Sequence, residues 1–238
     1  MAHLVDSLKN ESIAATRAKL AAAHEFIVSR AQTFLRQSPM AVPGWGSATK
    51  RLSVDLSGSE RPELIKKPSE RFAEILNMAA TVERLLAALQ WFAEEPRFRD
   101  LEVLICHPST SSSTNTNDLV LAEKHGLVCV RCEVSDVAAR SAGQNAKEKK
   151  DLKALRCDAG VPDDGVYRFL CTSNEFAEAL ISKKRDWTAL PYRYIVHRAL
   201  DDSRTVILEI VPPSSPRLLP GAGADAAHHA SSSTEAPE

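Results

Sequence analysis

Apolar residues recur along the chain at two periods, and the changes of period mark out its elements. From Asp6 to Gln37, Ile13, Leu20, Ile27 and Phe34 return every seventh residue, with Ala14, Ala21, Val28 and Leu35 beside them. That spacing predicts one long helix. The sites three or four residues further on, Thr16 or Arg17, Ala23 or His24, and Arg30 or Ala31, are small or polar. The second stripe of a coiled coil is therefore missing, and the helix is read as lying along the body of the domain, with a dimerisation arm as the alternative. Ser38 to Pro68 breaks the pattern with prolines and glycines and reads as a connection. In it, Arg51 to Leu56 has the character of a short edge strand and Trp45 that of an anchor. Ser69 to about Glu95 resumes helical spacing, with Phe72, Ile75, Leu76, Ala79, Val82, Leu86 and Leu89 on one stripe and Ser69 as a cap.

The period then falls to two. Leu101–His107 is a strongly apolar strand, 108–116 a polar loop, and Leu119–Glu123 a short strand. Lys124-His125-Gly126 makes a turn, and Leu127–Asp136 is a longer strand. Side chains two apart share a face, so Val128, Val130, Cys132 and Val134 form the packing face. Leu127, Cys129, Arg131, Glu133 and Ser135 form the other. A carboxylate on a sheet face beside Cys129 and Leu127 needs a partner or a task. If the two short-linked strands pair, Asp118 and Glu133 emerge at the same end of the hairpin. Two converging carboxylates are the minimum that Mg²⁺ asks of a protein, because it also takes waters and substrate phosphates.

A helix is predicted from Asn145, carrying Leu152 and Leu155 towards the core. Glu148 falls on that same side, with Lys149 at its margin. Asn145 and Glu148 have capping-box spacing, so Glu148 is read either as a cap or as part of the site. Gly165–Cys171 is a strand, Glu175 to Lys184 a helix, and 192–200 with 205–211 a hairpin. Short links make the first three strands antiparallel neighbours, and the helix after the third allows a parallel fourth. The fold class is α/β with a mixed sheet. The organisation is a long helix over 1–38, a connection over 39–67, an α/β core over 68–212 and a disordered tail over 213–238. His228-His229 in that tail are too few for a metal site.

Composition narrows the function. The 238 residues are 44% hydrophobic, enough for a core, and carry a net charge of −1, which leaves no global footprint for nucleic acid. An aromatic content of 5% argues against a base-stacking platform. Five cysteines, mostly in predicted strands, read as reduced, buried thiols of a cytoplasmic protein. Cys129 and Cys132 spell CxxC, but a spacing of three in a strand points them to opposite faces, and no second pair exists to complete a zinc site. Neither a signal peptide nor an apolar run of the ~20 residues that cross a membrane is expected. Glycine-rich phosphate loops, nucleophile elbows and zincin helices are absent from the sequence.

Asp118, fifteen residues on Glu133-Val134-Ser135, and then an amphipathic helix resemble the core of the PD-(D/E)XK, or restriction-endonuclease-like, nucleases over roughly residues 70 to 172. The resemblance implies an αβββαβ core, Mg²⁺ or Mn²⁺ held by Asp118 and Glu133, and action on DNA or RNA. Asn117 stands where the family has proline, and Ser135 where it has the lysine that orients the attacking water. Lys149, or its neighbour Glu148, would then complete the catalytic set of Asp118 and Glu133. The alternative is a nuclease-like fold that serves as a binding or assembly subunit. Expected partners are nucleic acid, and a protein or a second copy through the N-terminal helix, with no membrane.

Overall fold

Strand-forming runs spread over the whole chain assemble into one seven-stranded sheet, with helices on both of its faces. The computed structural model describes residues 4–37, 52–108, 117–135, 155, 165–182, 193–198 and 205–211. In chain order these form β1 (Leu8–Ser12), α1 (Ile13–Gln37), β2 (Ser53–Asp55), β3 (Ser69–Arg71), α2 (Phe72–Glu94), β4 (Glu102–Cys106), β5 (Leu119–Ala122), β6 (Val128–Val134), β7 (Tyr167–Ser173), α3 (Asn174–Ile181), β8 (Arg193–Arg198) and β9 (Thr205–Val211). The large sheet runs β1-β4-β5-β6-β7-β9-β8, and β2 with β3 makes a separate ribbon. Every pair in the large sheet is antiparallel except β6 with β7. The meander of β4, β5 and β6 followed by a parallel β7 is the arrangement that the link lengths predict, and the closing β8–β9 hairpin is also as expected.

The two faces of the sheet differ. Val103, Cys106, Leu119, Leu121, Val130, Cys132, Val134, Phe169 and Cys171 lie in the main core with the buried stripes of α1 and α2. On the second face, Leu170, Leu208 and Ile210 pack with Phe176 and Leu180 of α3 and with Leu155. Trp91, Phe92, Phe98 and Phe169 close the main core at one end, with ring centroids 5.1–5.9 Å apart.

Four expectations are corrected. The helix predicted from Asp6 begins only at Ile13, because residues 8–12 pair antiparallel with β4, Leu8 opposite Cys106. This stretch supplies one apolar residue to the core face, Leu8, and its Asn10 has φ 54, so it carries no helical stripe to defend. Ser12 then accepts a hydrogen bond from the Ala15 amide at 3.2 Å as the helix starts. Ser69 does not cap α2. Residues 69–71 pair with 53–55, and the cap position, Arg71, makes no side-chain cap bond. The stripe of α2 is rotated so that Leu76 is 48% exposed while Met78 and Leu85 are buried. Finally, the β5–β6 register shifts between Leu121 and Ala122, which pairs Ala122 with Val128. As a result Cys129, not Val128, packs against the main core.

Residues 109–116, 136–154, 156–164 and 212–238, Trp45, and with them Lys149, Glu148, Cys157 and the predicted tail, lie outside the described residues. No described helix is long and apolar enough to cross a membrane.

Phe92 is fully buried among three aromatic rings. Phe92→Ala should lower the unfolding free energy by about 3–5 kcal/mol, read by urea denaturation. A loss under ~1 kcal/mol would show that this cluster does not close the core.

Candidate functional site

Asp118 and Glu133 are brought together by the pairing of two short strands. Leu119 lies opposite Cys132 and Val120 opposite Arg131. One step beyond Leu119–Cys132, the same register sets Asp118 opposite Glu133. Antiparallel partners share a face, so both fall on the second face, away from α1 and α2. On the far side of β5 the His107 amide donates to the Asp118 carbonyl at 2.7 Å. His107, Asp118 and Glu133 thus stand abreast on β4, β5 and β6. Ser7, one residue before β1, extends the row, its hydroxyl hydrogen-bonded to His107 Nδ1.

Two bonds from described residues help to hold the pair. The Val134 amide donates to Asp118 Oδ2 at 2.8 Å, and Asn117 Nδ2 donates to Glu133 Oε1 at 2.7 Å. Asn117 and Asp118 therefore reach across to β6 together and fix both carboxylates. Asn117 and Glu133 are each 6% exposed, while Asp118 is half-buried. A buried carboxylate is tolerated when it accepts hydrogen bonds, and the Asn117 amide meets that condition for Glu133 without neutralising it.

The charge of this pair is felt in the core beneath. Burial, then Cys171, Asp118 and Glu133, push the Cys132 thiol well above its ordinary range. Burial and then Asp118 push Cys106 far up as well. Neither thiol is a nucleophile, since only the thiolate reacts. Cys106, Cys132 and Cys171 are buried, while Cys129 is half-buried.

Ser135, two residues beyond Glu133 on the same face, is fully buried. Its amide donates to the Cys171 carbonyl at 3.0 Å and its carbonyl accepts from Thr172 Oγ1 at 3.2 Å, yet its own hydroxyl has no partner among the described residues. Lys149, the expected third member, lies outside the described residues, so the structure brings together only the two carboxylates. Sequence reasoning missed Asn117 as the orienting group and His107 as Asp118's neighbour. The signal for His107 was present: it ends LEVLICH on the face opposite Cys106, and the antiparallel link to β5 puts it level with Asp118.

As a cation site, the pair offers hard oxygen donors from two strands of a rigid sheet. Among the described residues no group of three or more His, Cys, Asp or Glu side chains is placed to hold a metal ion. Two carboxylates nevertheless fit Mg²⁺, which keeps several waters and completes its shell with substrate phosphate oxygens. Comparison with protein-family models, with curated proteins and with solved structures returns no match for this chain.

Two outcomes follow. Asn117→Ala leaves Glu133 buried without that donor and should cost about 1–3 kcal/mol, whereas Ser135→Ala removes a buried hydroxyl that satisfies nothing and should be neutral or stabilising. Chemical denaturation of both variants checks this, and a costly Ser135→Ala would mean that its hydroxyl has a partner. The buried thiols set an alkaline limit. Their pKa values are raised in the folded state above the ordinary 9.0, so the stability they contribute is complete below pH 9.0 and falls as pH rises, when the unfolded chain ionises first. Each thiol steepens the fall by up to ~1.4 kcal/mol per pH unit. Cys132→Ala should flatten the stability curve above pH 9.0, and an unchanged slope would contradict this.

Proposed function

We propose that this chain is a divergent metal-dependent nuclease with a restriction-endonuclease-like core, acting on DNA or RNA phosphodiesters. The observation that carries the reading is the β5–β6 register that sets Asp118 beside Glu133 on one face of the sheet. The order of elements supports it: α2, the antiparallel β4, β5 and β6, and a parallel β7 follow the αβββαβ sequence that the resemblance implies. Leu155, fully buried with Leu170 of β7 and with Leu208 and Ile210 of β9, supports the reading by giving the stretch between β6 and β7 a packing contact on the second face.

In this reading Asp118 and Glu133 hold Mg²⁺ or Mn²⁺, which polarises a phosphodiester and lowers the pKa of an attacking water. The Val134 amide keeps Asp118 turned towards β6, and Asn117 keeps Glu133 oriented without consuming its charge. Lys149 takes the water-orienting role of the strand lysine that this chain lacks. A second reading is favoured by one observation. Ser135, where the family has that lysine, is buried and uncharged, its hydroxyl without a partner among the described residues, and so presents no charge to a substrate. A protein with the fold but without that group would act as a binding or assembly subunit.

Metal separates the readings. A cation that binds only the folded state raises its stability by about 2.7 kcal/mol at a hundred times the dissociation constant. The melting temperature should therefore climb with added Mg²⁺ or Mn²⁺, and Asp118→Asn or Glu133→Gln should abolish the climb while leaving the metal-free protein at least as stable. The wild type should nick DNA or RNA with Mn²⁺, and Lys149→Ala should lose nicking but keep the thermal shift. A shift without cleavage selects the binding subunit. Wild type and both carboxylate variants melting alike at every metal concentration would sink the site.

A further inference from the structure

Beside the carboxylate row on the second face runs a row of cations. One pleat away from Ser7, His107, Asp118 and Glu133, the register aligns Lys9, Ile105, Val120, Arg131 and Arg168 across β1, β4, β5, β6 and β7. Lys9 and Arg131 are exposed, and Val120 between them is buried. Arg168 is buried at the inner end of the row, with its guanidinium donating to the Val166 carbonyl at 2.7 Å. Lys19 sits on Glu11, Arg71 on Glu74 and Arg97 on Glu95, whereas Arg36, Arg61 and Lys124 are exposed without an ion pair among the described residues and lie off this row. The side chains of Lys9 and Arg131 make no ion pair and no hydrogen bond among the described residues, although Asp118 and Glu133 lie one pleat away.

We propose that Lys9 and Arg131 form the phosphate-holding margin of the site, where a phosphodiester backbone lies across β1, β4, β5 and β6. This rests on the nuclease reading and adds to it the residues that seat the polymer. The spacing suits the task. Two residues along a strand put the cations about 7 Å from the carboxylate row, and three strand spacings separate Lys9 from Arg131 by about 14 Å. A phosphate seated over Asp118 and Glu133 then has its neighbours along the polymer within reach of both side chains. Such contacts hold the backbone and read no bases. They would also let a chain of net charge −1 meet a polyanion through a local pair of exposed cations rather than through its overall charge.

The test is binding of a short fluorescent DNA duplex and of a single-stranded RNA by the full chain in EDTA, across a range of salt. Each phosphate contact contributes about 0.9 to the slope of log K against log salt on duplex DNA and about 0.7 on single strands. Lys9→Gln and Arg131→Gln should each lower the slope by about that amount, weaken binding equally across unrelated sequences, and add in the double variant. Lys124→Gln, on the β5–β6 turn, should leave the slope as in the wild type. The nucleic acid whose slope falls names the polymer seated there. Unchanged slopes in both variants, with the wild type binding, would overturn the cation margin and leave the nuclease reading standing. A wild type that binds neither polymer even at low salt would overturn both. Because both residues are exposed, the variants should melt with the wild type, and a collapse in melting would show a structural role instead.

Discussion

Register between β5 and β6 is the constraint on which the rest of the site depends. Leu119 and Leu121 meet Cys132 and Val130 under the two long helices. Because side chains alternate, fixing those four apolar residues on one face fixes Asp118 and Glu133 on the other. A slip of one residue would bury the carboxylates in the main core and expose the leucines, at a cost no pair of short strands could bear. The hydrophobic effect thus aims the polar pair without touching it. Asn117 and Asp118 then reinforce the register from the polar side by bonding across to Glu133 and the Val134 amide.

What could be read from the sequence followed the strength of its periodicities. The antiparallel meander, the closing hairpin and the placing of Asp118 level with Glu133 come from runs of alternating apolar residues joined by short links, while the parallel fourth strand is what the long connection after β6 allows. Apart from the rotated stripe of α2, the failures share a cause: sheet pairing that is not written locally. Residues 8–12 and 69–71 have little strand character, and they become strands because β4 and β2 present edges for them. Cys129 changes sides through an irregularity opposite Ala122, which no alternation rule foresees. At the site, Ser7 was invisible for the same reason, since it reaches His107 only once β1 has joined the sheet.

The second face changes character along its width. Over β7 and β9 it is a packing surface, with Leu170, Leu208 and Ile210 beneath α3. Over β4, β5 and β6 it carries His107, Asp118, Arg131 and Glu133 beside Ile105 and Val120. Glu133 sits at the boundary, level with Leu170 in the parallel pair. That position accounts for a carboxylate that is nearly covered yet belongs to a polar row. It also gives Asn117 its importance, because an amide donor is what makes an acid tolerable beside a leucine.

The pairing of β1 with β4 has a consequence for how the molecule is made. Leu8 meets Cys106 across most of the first half of the chain, with both long helices and the β2–β3 ribbon in between. On a ribosome, β1 emerges first and must wait for its neighbour until β4 has been synthesised. Until then, α1 can be covered by α2 once that helix has followed, but it has no sheet to pack on. Closing so long a loop is slow relative to forming local structure. The sheet's first edge is therefore the last of its N-terminal half to be set in place, and the segment carrying Lys9 is the part of the nascent chain most open to other proteins while it waits.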